Sequence, residues 1–351
     1  MNIGFISTWE VPCGIFTYTS FLIKGLITNN QVDNFVYAEY KDVLKQEIVP
    51  EIVKVPYKEC WRRNGIITKF ENGYKAELVD NIIKDNRDCH HIQHQFGLFP
   101  NEQDLKFILT NAPNKKIITL HDVIPFDSRM EKYFNIIIDN SDKIIVHTKP
   151  CYDLMVKDWK CSTNKLELIT HGTEIIDIPD KRQSRIELDI PQHTIVLLSW
   201  GFLWESKSLE HLIEVMAILK KKNPNIMLIH AGGMHPLFSD VGYIRKSLIR
   251  AIRLGLNPNN IRIVGRYISE EEIPKYFASA DIGVLAYRRG SLSASGAAHR
   301  LCSAKIPIIA YDDRCLEEIP AMKVEQGNTL SLANGIERIL SDINISNQIS
   351  N

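Results

Sequence analysis

The sequence predicts an α/β protein built from two doubly wound, Rossmann-like domains, and three observations predict it. Short apolar runs alternate with longer amphipathic stretches from end to end, the rhythm of strand–helix repeats that feed a parallel sheet. That rhythm pauses once, over the polar interval 177–192 with Pro179 and Pro191, and then restarts. A chain of 351 residues also exceeds what one ordinary core accommodates. The expected division is a first domain over 1–176, a linker over 177–192 and a second domain over 193–351.

In the first half, strands are expected at 3–7, 34–39, 52–56, 90–95, 116–121, 143–147 and 165–170. Helices are expected at 15–28, 102–110 and 150–159. In the second half, strands are expected at 194–200, 226–231, 262–264, 282–286 and 306–310. Helices follow at 209–222, 243–254, 270–278 and 297–303. Ligands of such folds sit at the carboxyl ends of strands, where loops enter helices.

Composition narrows the function classes. Hydrophobic residues make up 44% and charged residues 24%, as in ordinary soluble proteins, and the formal net charge is zero. No whole-protein attraction to nucleic acid or to an anionic membrane is indicated. The longest apolar run, 195–204, is broken by Ser199 and Gly201 and is too short to span a bilayer. The N-terminus lacks the charged start and long apolar stretch of a signal peptide, and it reads as the first buried strand. Seven cysteines, odd in number, irregularly spaced and without a CxxC, point to reduced thiols in a cytoplasmic protein.

Candidate chemistry lies after the strands. Gly14 directly precedes a helix; it either lets bare backbone approach an anion or merely permits a turn. His121 and Asp122 end a strand, with capping by Asp122 as the plain alternative. Cys89, His90, His91 and His94 match no zinc spacing, since a strand turns His90 and His94 one way and His91 the other. His94 opens a strand-end loop, 94–97, placed to touch sugar hydroxyls. In the second half, Gly201, Phe202 and Trp204 lie between a strand and a helix. Lys207 brings a point charge to that helix start, suited to a diphosphate or simply exposed. Gly265, Arg266 and Tyr267 follow another strand. Ser293, Ser295 and Gly296 run into a helix that carries Arg300, forming either a nest for phosphate oxygens or a flexible surface loop. The run Lys220-Lys221-Lys222 reads as the solvated end of a helix. Trp61, Arg62 and Arg63, with Lys58 and Lys69, read as a solvated loop; a peripheral membrane contact with an anionic lipid-linked acceptor is the alternative.

At these residues the chain resembles family 4 glycosyltransferases of the GT-B fold, over nearly its whole length and in the family's order. Cys13-Gly-Ile-Phe-Thr-Tyr-Thr resembles the first glycine loop. Ile92-Gln-His-Gln-Phe-Gly-Leu-Phe and Thr119-Leu-His-Asp-Val-Ile-Pro resemble acceptor-domain motifs. Ile169-Thr-His-Gly-Thr-Glu resembles the segment that closes the first domain. The likeness continues through Gly201–Lys207, Ala231-Gly-Gly-Met-His-Pro and Ala278-Ser-Ala-Asp-Ile-Gly-Val-Leu-Ala-Tyr, and is nearest to a mannosyltransferase-like branch.

There are three departures. Trp204 stands near the family's usual arginine, no glutamate lies in 292–300 where many members have a pair, and the long C-terminal helix is expected to be truncated.

The resemblance implies a GT-B architecture, with two Rossmann-like domains facing across a cleft. It implies retaining transfer of a hexose from a UDP- or GDP-sugar to a hydroxyl acceptor on a glycan or glycolipid, with no obligatory cofactor or metal. His121 and Lys207 are the expected catalytic residues; Gly14, Gly201, Phe202, Trp204, Gly265, Arg266, Tyr267, Ser293, Ser295, Gly296 and Arg300 bind the donor; His94 and Asp122 contact acceptor or sugar. No nucleic-acid partner is expected. A non-catalytic GT-B protein acting on another transferase is the alternative.

Overall fold

The computed structural model describes residues 1–9, 13–28, 33–39, 53–57, 82, 84, 86–96, 98–99, 102–124, 131–234, 241–288, 294–342, 344 and 349. The chain divides into two compact units, 1–172 and 173–351.

The first unit is built on seven parallel strands: β1 (Asn2–Ile6), β2 (Asp33–Glu39), β3 (Val53–Tyr57), β4 (Cys89–His94), β5 (Lys115–Leu120), β6 (Lys143–Val146) and β7 (Leu166–Leu168). Their order is β3-β2-β1-β4-β5-β6-β7, so the winding reverses between β1 and β4. Helices α1 (Gly14–Thr28), α2 (Glu102–Asn111), α3 (Glu131–Asn140) and α4 (Lys149–Lys157) connect the strands. Both faces of the sheet are buried, as parallel sheets require. On β1, Ile6 joins the larger core with Ile118, Phe134 and Met155, while Ile3 and Phe5 face a second core with Ile23 of α1. Helix α4 starts where the sequence says it should: Thr148 caps the Cys151 N–H, and Pro150 occupies the first turn, where its missing N–H costs nothing.

The second unit has six parallel strands: β8 (Ile195–Trp200), β9 (Ile226–Ala231), β10 (Ile261–Ile263), β11 (Ile282–Leu285), β12 (Ile308–Tyr311) and β13 (Met322–Val324). The order β10-β9-β8-β11-β12-β13 reverses between β8 and β11. Its helices are α5 (Lys181–Glu187), α6 (Leu209–Leu219), α7 (Val241–Arg253), α8 (Ile273–Ser279), α9 (Gly296–Cys302) and α10 (Thr329–Ser341). Along β8, Val196 and Leu198 face one core and Leu197 the other. The continuous apolar run of this strand therefore reflects burial on both sides.

Some elements depart from expectation. The interval 177–192 contains α5 and belongs to the second unit. Asp180 caps this helix, and Arg185 is buried, donating to Ser279 O at 3.0 Å, Gln192 O at 2.7 Å and the Asp281 carboxylate at 2.8 Å. A charged stretch is thereby packed, because its cation finds three fixed acceptors. Helix α3 carries Ile136, Ile137 and Ile138 in a row, which suits a strand as well as a helix. Strand β13 spans three residues and is too short to show a period. The six described cysteines are all free. Among the described residues no helix is long and apolar enough to cross a membrane.

Candidate functional site

In the second unit, the loops leaving β8, β9 and β10 are pressed together backbone to backbone. A Cβ on Gly232 would stand 1.9 Å from Gly201 O, and one on Gly233 would meet Arg266 C at 2.9 Å and Tyr267 N at 3.0 Å. Gly201 itself has φ +103°, in the region that favours glycine, and a Cβ there would meet Ala297 Cβ at 3.0 Å. The structure thus gathers Gly201, the turn at Arg266 and Tyr267, and the first turn of α9 behind Gly296 around the carboxyl ends of these strands. This cluster includes the switch between β8 and β11, the place where doubly wound sheets bind ligands.

Lys207 ends a 3-10 turn, Glu205–Lys207, between β8 and α6. It is 5% exposed, which rules out the reading as a surface lysine. Its ammonium sits 3.5 Å from the centroid of the Tyr287 ring, just after β11, and forms no hydrogen bond or ion pair among the described residues. Burial pulls its pKa from 10.5 to about 7, opposed only weakly by the Cys315 thiol nearby. Tyr287 is fully buried, and that burial raises its phenol. Its hydroxyl accepts from Ser295 Oγ at 3.2 Å, while Ser295 Oγ accepts the Ala298 N–H at 3.2 Å. His230 of β9 sits beneath, 3.1 Å from both Ser199 Oγ and Gly201 O. Burial and the Lys207 charge hold its pKa at about 4.

These contacts correct several expectations. Ser295 was expected to offer its hydroxyl to a ligand, but the hydroxyl is spent capping α9 and holding Tyr287. Arg300 was expected at the donor, but it is 11% exposed and tied to Glu270 and to Glu174 at 3.0 Å. Arg266 is engaged with Glu272, at 2.7 and 2.5 Å. Phe202 and Trp204 are half-buried between β8 and the 3-10 turn, and Gly265 turns at φ +69°. Ser293 lies outside the described residues, as do Gly97 and the group at 58–69.

In the first unit, polar rings collect at successive strand ends. Tyr18 of α1 packs at 4.8 Å from His121 after β5, 5.1 Å from His147 after β6 and 5.0 Å from His171 after β7. His121 Nε2 is 2.8 Å from Gln93 Oε1 of β4. Burial, reinforced by His147, His171, His94 and His91, holds the His121 pKa well below the ordinary histidine value. His147 is also lowered by burial, although its Nδ1 meets Ile169 O at 2.8 Å. Among the described residues, nothing lies within 4 Å of a Cβ added at Gly14.

His94 departs from expectation: it is 0% exposed, stacked on Phe99, and its pKa falls to about 3 through burial. A side chain so enclosed touches no sugar as it stands. Asp122 is buried and accepts the Ile124 N–H at 3.0 Å, a turn bond of the kind its short carboxylate favours. Among the described residues, no group of three or more His, Cys, Asp or Glu is arranged to hold a metal. Gln93, Tyr18 and His171 lie within the motifs quoted above but received no role from the sequence, and His147 was not singled out. The available signal was a polar ring recurring at the ends of β4, β5 and β6.

Comparison with known proteins agrees with this geometry. Residues 194–342, less than half of the chain, match a family model described as glycosyl transferases group 1. No curated protein matches the chain. Among solved structures, the chain is similar to a glycosyltransferase from Rickettsia africae ESF-5, with TM-score 0.75 and 17% identity over 99% of this chain and 91% of that one. It is similar to HepE of Anabaena in complex with UDP-glucose, with TM-score 0.74 and 16% identity over 100% and 92%. It is also similar to sucrose-phosphate synthase from Thermosynechococcus elongatus, with TM-score 0.73 and 18% identity over 100% and 92%. The fold is therefore the two-domain, Rossmann-like architecture of the GT-B class, and its second unit is similar to group 1 glycosyltransferases.

Proposed function

We propose that the chain is a glycosyltransferase that moves a hexose from a nucleoside diphosphate sugar to a hydroxyl acceptor, with retention at the anomeric carbon. The carrying observation is Lys207: a buried ammonium with no carboxylate partner among the described residues, at the switch point of the second sheet, beside loops that glycines bring together backbone to backbone. A leaving diphosphate is the ligand that best compensates such a charge. The UDP-glucose held by HepE supports a UDP-hexose as the first donor to try, with GDP-sugars next. In retaining transfer along a front-face path, a leaving phosphate oxygen takes the acceptor proton, and no enzyme nucleophile is needed. In the first unit, His121 and its ring neighbours would meet the sugar or acceptor. Donor contacts by Gly201, Phe202, Trp204, Gly265, Tyr267 and the start of α9 belong to the same proposal.

One observation favours the alternative, a non-catalytic partner of another transferase: Ser295 and Arg300 are both committed internally. The deciding experiment is a thermal-shift screen with UDP, GDP, ADP and their sugars, followed by product analysis with a labelled form of any donor that binds. Binding without transfer or hydrolysis would favour the alternative; absence of binding by every nucleotide would remove the transferase reading of the Lys207 site and leave the alternative.

A further inference from the structure

Gln93 is fully buried on β4, and its Oε1 lies 2.8 Å from His121 Nε2. A carboxamide oxygen only accepts, so Nε2 carries the proton and Nδ1 keeps the lone pair. The rest of the ring is held by packing, with Tyr18 edge-on at 4.8 Å and His147 at 5.4 Å. The Nδ1 atom has no hydrogen-bond partner among the described residues, and His121 is half-buried, unlike His94, which is wholly enclosed. Gln93 Nε2, in contrast, is sealed without a partner. The amide therefore spends its oxygen on His121 and leaves its own N–H groups unmet.

We infer that Gln93 is a positioning residue that fixes His121 as the Nε2–H tautomer, so that Nδ1 accepts a hydrogen bond from a ligand hydroxyl. Naming that hydroxyl as one on the transferred sugar or the acceptor rests on the glycosyl-transfer reading above; the tautomer does not. Among the described residues, the titratable groups that act on His121 are His147, His171, His94 and His91, with the Tyr18 phenol against its face. None of these is a carboxylate that would favour an imidazolium. A neutral acceptor nitrogen suits an uncharged hydroxyl and not a phosphate, which separates the work of His121 from that of Lys207.

The test is a two-bond ¹H–¹⁵N correlation spectrum of the full chain with ¹⁵N-labelled histidine, near pH 7.5, with His121 assigned by the signals lost in His121→Asn. The expected wild-type pattern is a single Nε2–H tautomer. Gln93→Met should relax it toward a mixture. Gln93→Glu should keep the Nε2–H tautomer and raise the pH at which the ring titrates, because a carboxylate then stabilises the imidazolium. A wild-type Nδ1–H tautomer, or a wild-type mixture indistinguishable from Gln93→Met, overturns the inference, and the wild-type spectrum decides this even if a variant fails to fold. If transfer is found, Gln93→Met should lower kcat at least tenfold with donor KM little changed. Failure to find any transfer leaves the spectral result intact, so the two failures are distinguishable.

Discussion

The ammonium of Lys207 lies 3.5 Å from the ring centroid of Tyr287, and among the described residues no carboxylate pairs with it. A cation–π contact contributes about 2 kcal/mol when desolvated. A shift from 10.5 to about 7 corresponds to a burial cost on the order of 4 kcal/mol. The ligand-free protein therefore carries a cation that destabilises it. Lys207→Met, similar in length and apolar, should raise the melting temperature of the ligand-free protein. It should also lower transferase turnover by about a hundredfold, the scale of losing one preorganised charge on a leaving group. A lower melting temperature together with unchanged turnover would remove Lys207 from the site.

Proton linkage gives a second reading of the same group. With a native pKa of about 7, part of the Lys207 population is neutral at pH 8. A bound diphosphate would restore the charged form, so binding should draw a proton from solution. We expect nearly one proton taken up per nucleotide diphosphate bound at pH 8, almost none at pH 6, and none in Lys207→Met. Titration calorimetry in buffers of different ionisation enthalpy measures this directly. For the free protein the sign is also determined. Between about pH 7 and 10.5 the unfolded chain binds more protons at this lysine, so its contribution to stability rises with pH across that window.

Two glycines separate packing from ligand approach. An added Cβ at Gly232 would overlap Gly201 O at 1.9 Å, so Gly232→Ala must displace the β8 loop. We expect a stability loss of about 2 kcal/mol or more, within the range of overpacked sites, and loss of nucleotide binding. No described residue stands within 4 Å of a Cβ at Gly14, so Gly14→Ala should fold and melt like the parent. If Gly14 admits a ligand to bare backbone, that variant should still lose turnover. A fully active Gly14→Ala would leave only the turn-permitting role for this residue.

How much was legible beforehand depends on the range over which each feature is decided. Strand β8 was legible because its apolar run records burial on two faces, a property of consecutive residues. Helix α5 was not, because Arg185 is buried only by virtue of Ser279 and Asp281, more than ninety positions away. Lys207 was picked out as a phosphate-suited cation, but its burial depends on Tyr287 from another strand end. Arg300 was placed at the donor by its position one turn into α9 and by the resemblance; Glu174, with which it pairs, is 126 positions distant. The link between Gln93 and His121 arises from the β4–β5 register, which sets Gln93 beside Thr119, two residues before the histidine. Only a folded sheet reveals that pairing.

The buried histidines should set the acid limit of the protein. Burial lowers His91 and His230 to about 4 and His94 to about 3, against an ordinary value of 6.5. Below 6.5 the unfolded chain takes up protons that the native chain refuses, so stability falls with pH down to those lower values. Each histidine withdraws on the order of 3 kcal/mol by pH 4, and the two in the first unit, His91 and His94, together reach the scale of an ordinary domain's stability. The three differ in what removal would cost. His91 Nε2 is 2.8 Å from Thr119 Oγ1, so His91→Phe removes a buried hydrogen bond, leaving Thr119 only its contact with the Tyr18 phenol, and should cost about 1 kcal/mol at neutral pH. His94 has no hydrogen bond at either ring nitrogen and stacks on Phe99 at 5.5 Å. His94→Phe should therefore cost little at pH 7.5 and flatten the loss of stability between pH 6.5 and 4. Because the side chain of His94 does not reach the surface, nucleotide binding should be unaffected. Urea unfolding at pH 7.5 and pH 5 checks the pair. If His94→Phe loses as much stability between the two pH values as the parent does, His94 is not one of the groups that limit acid stability.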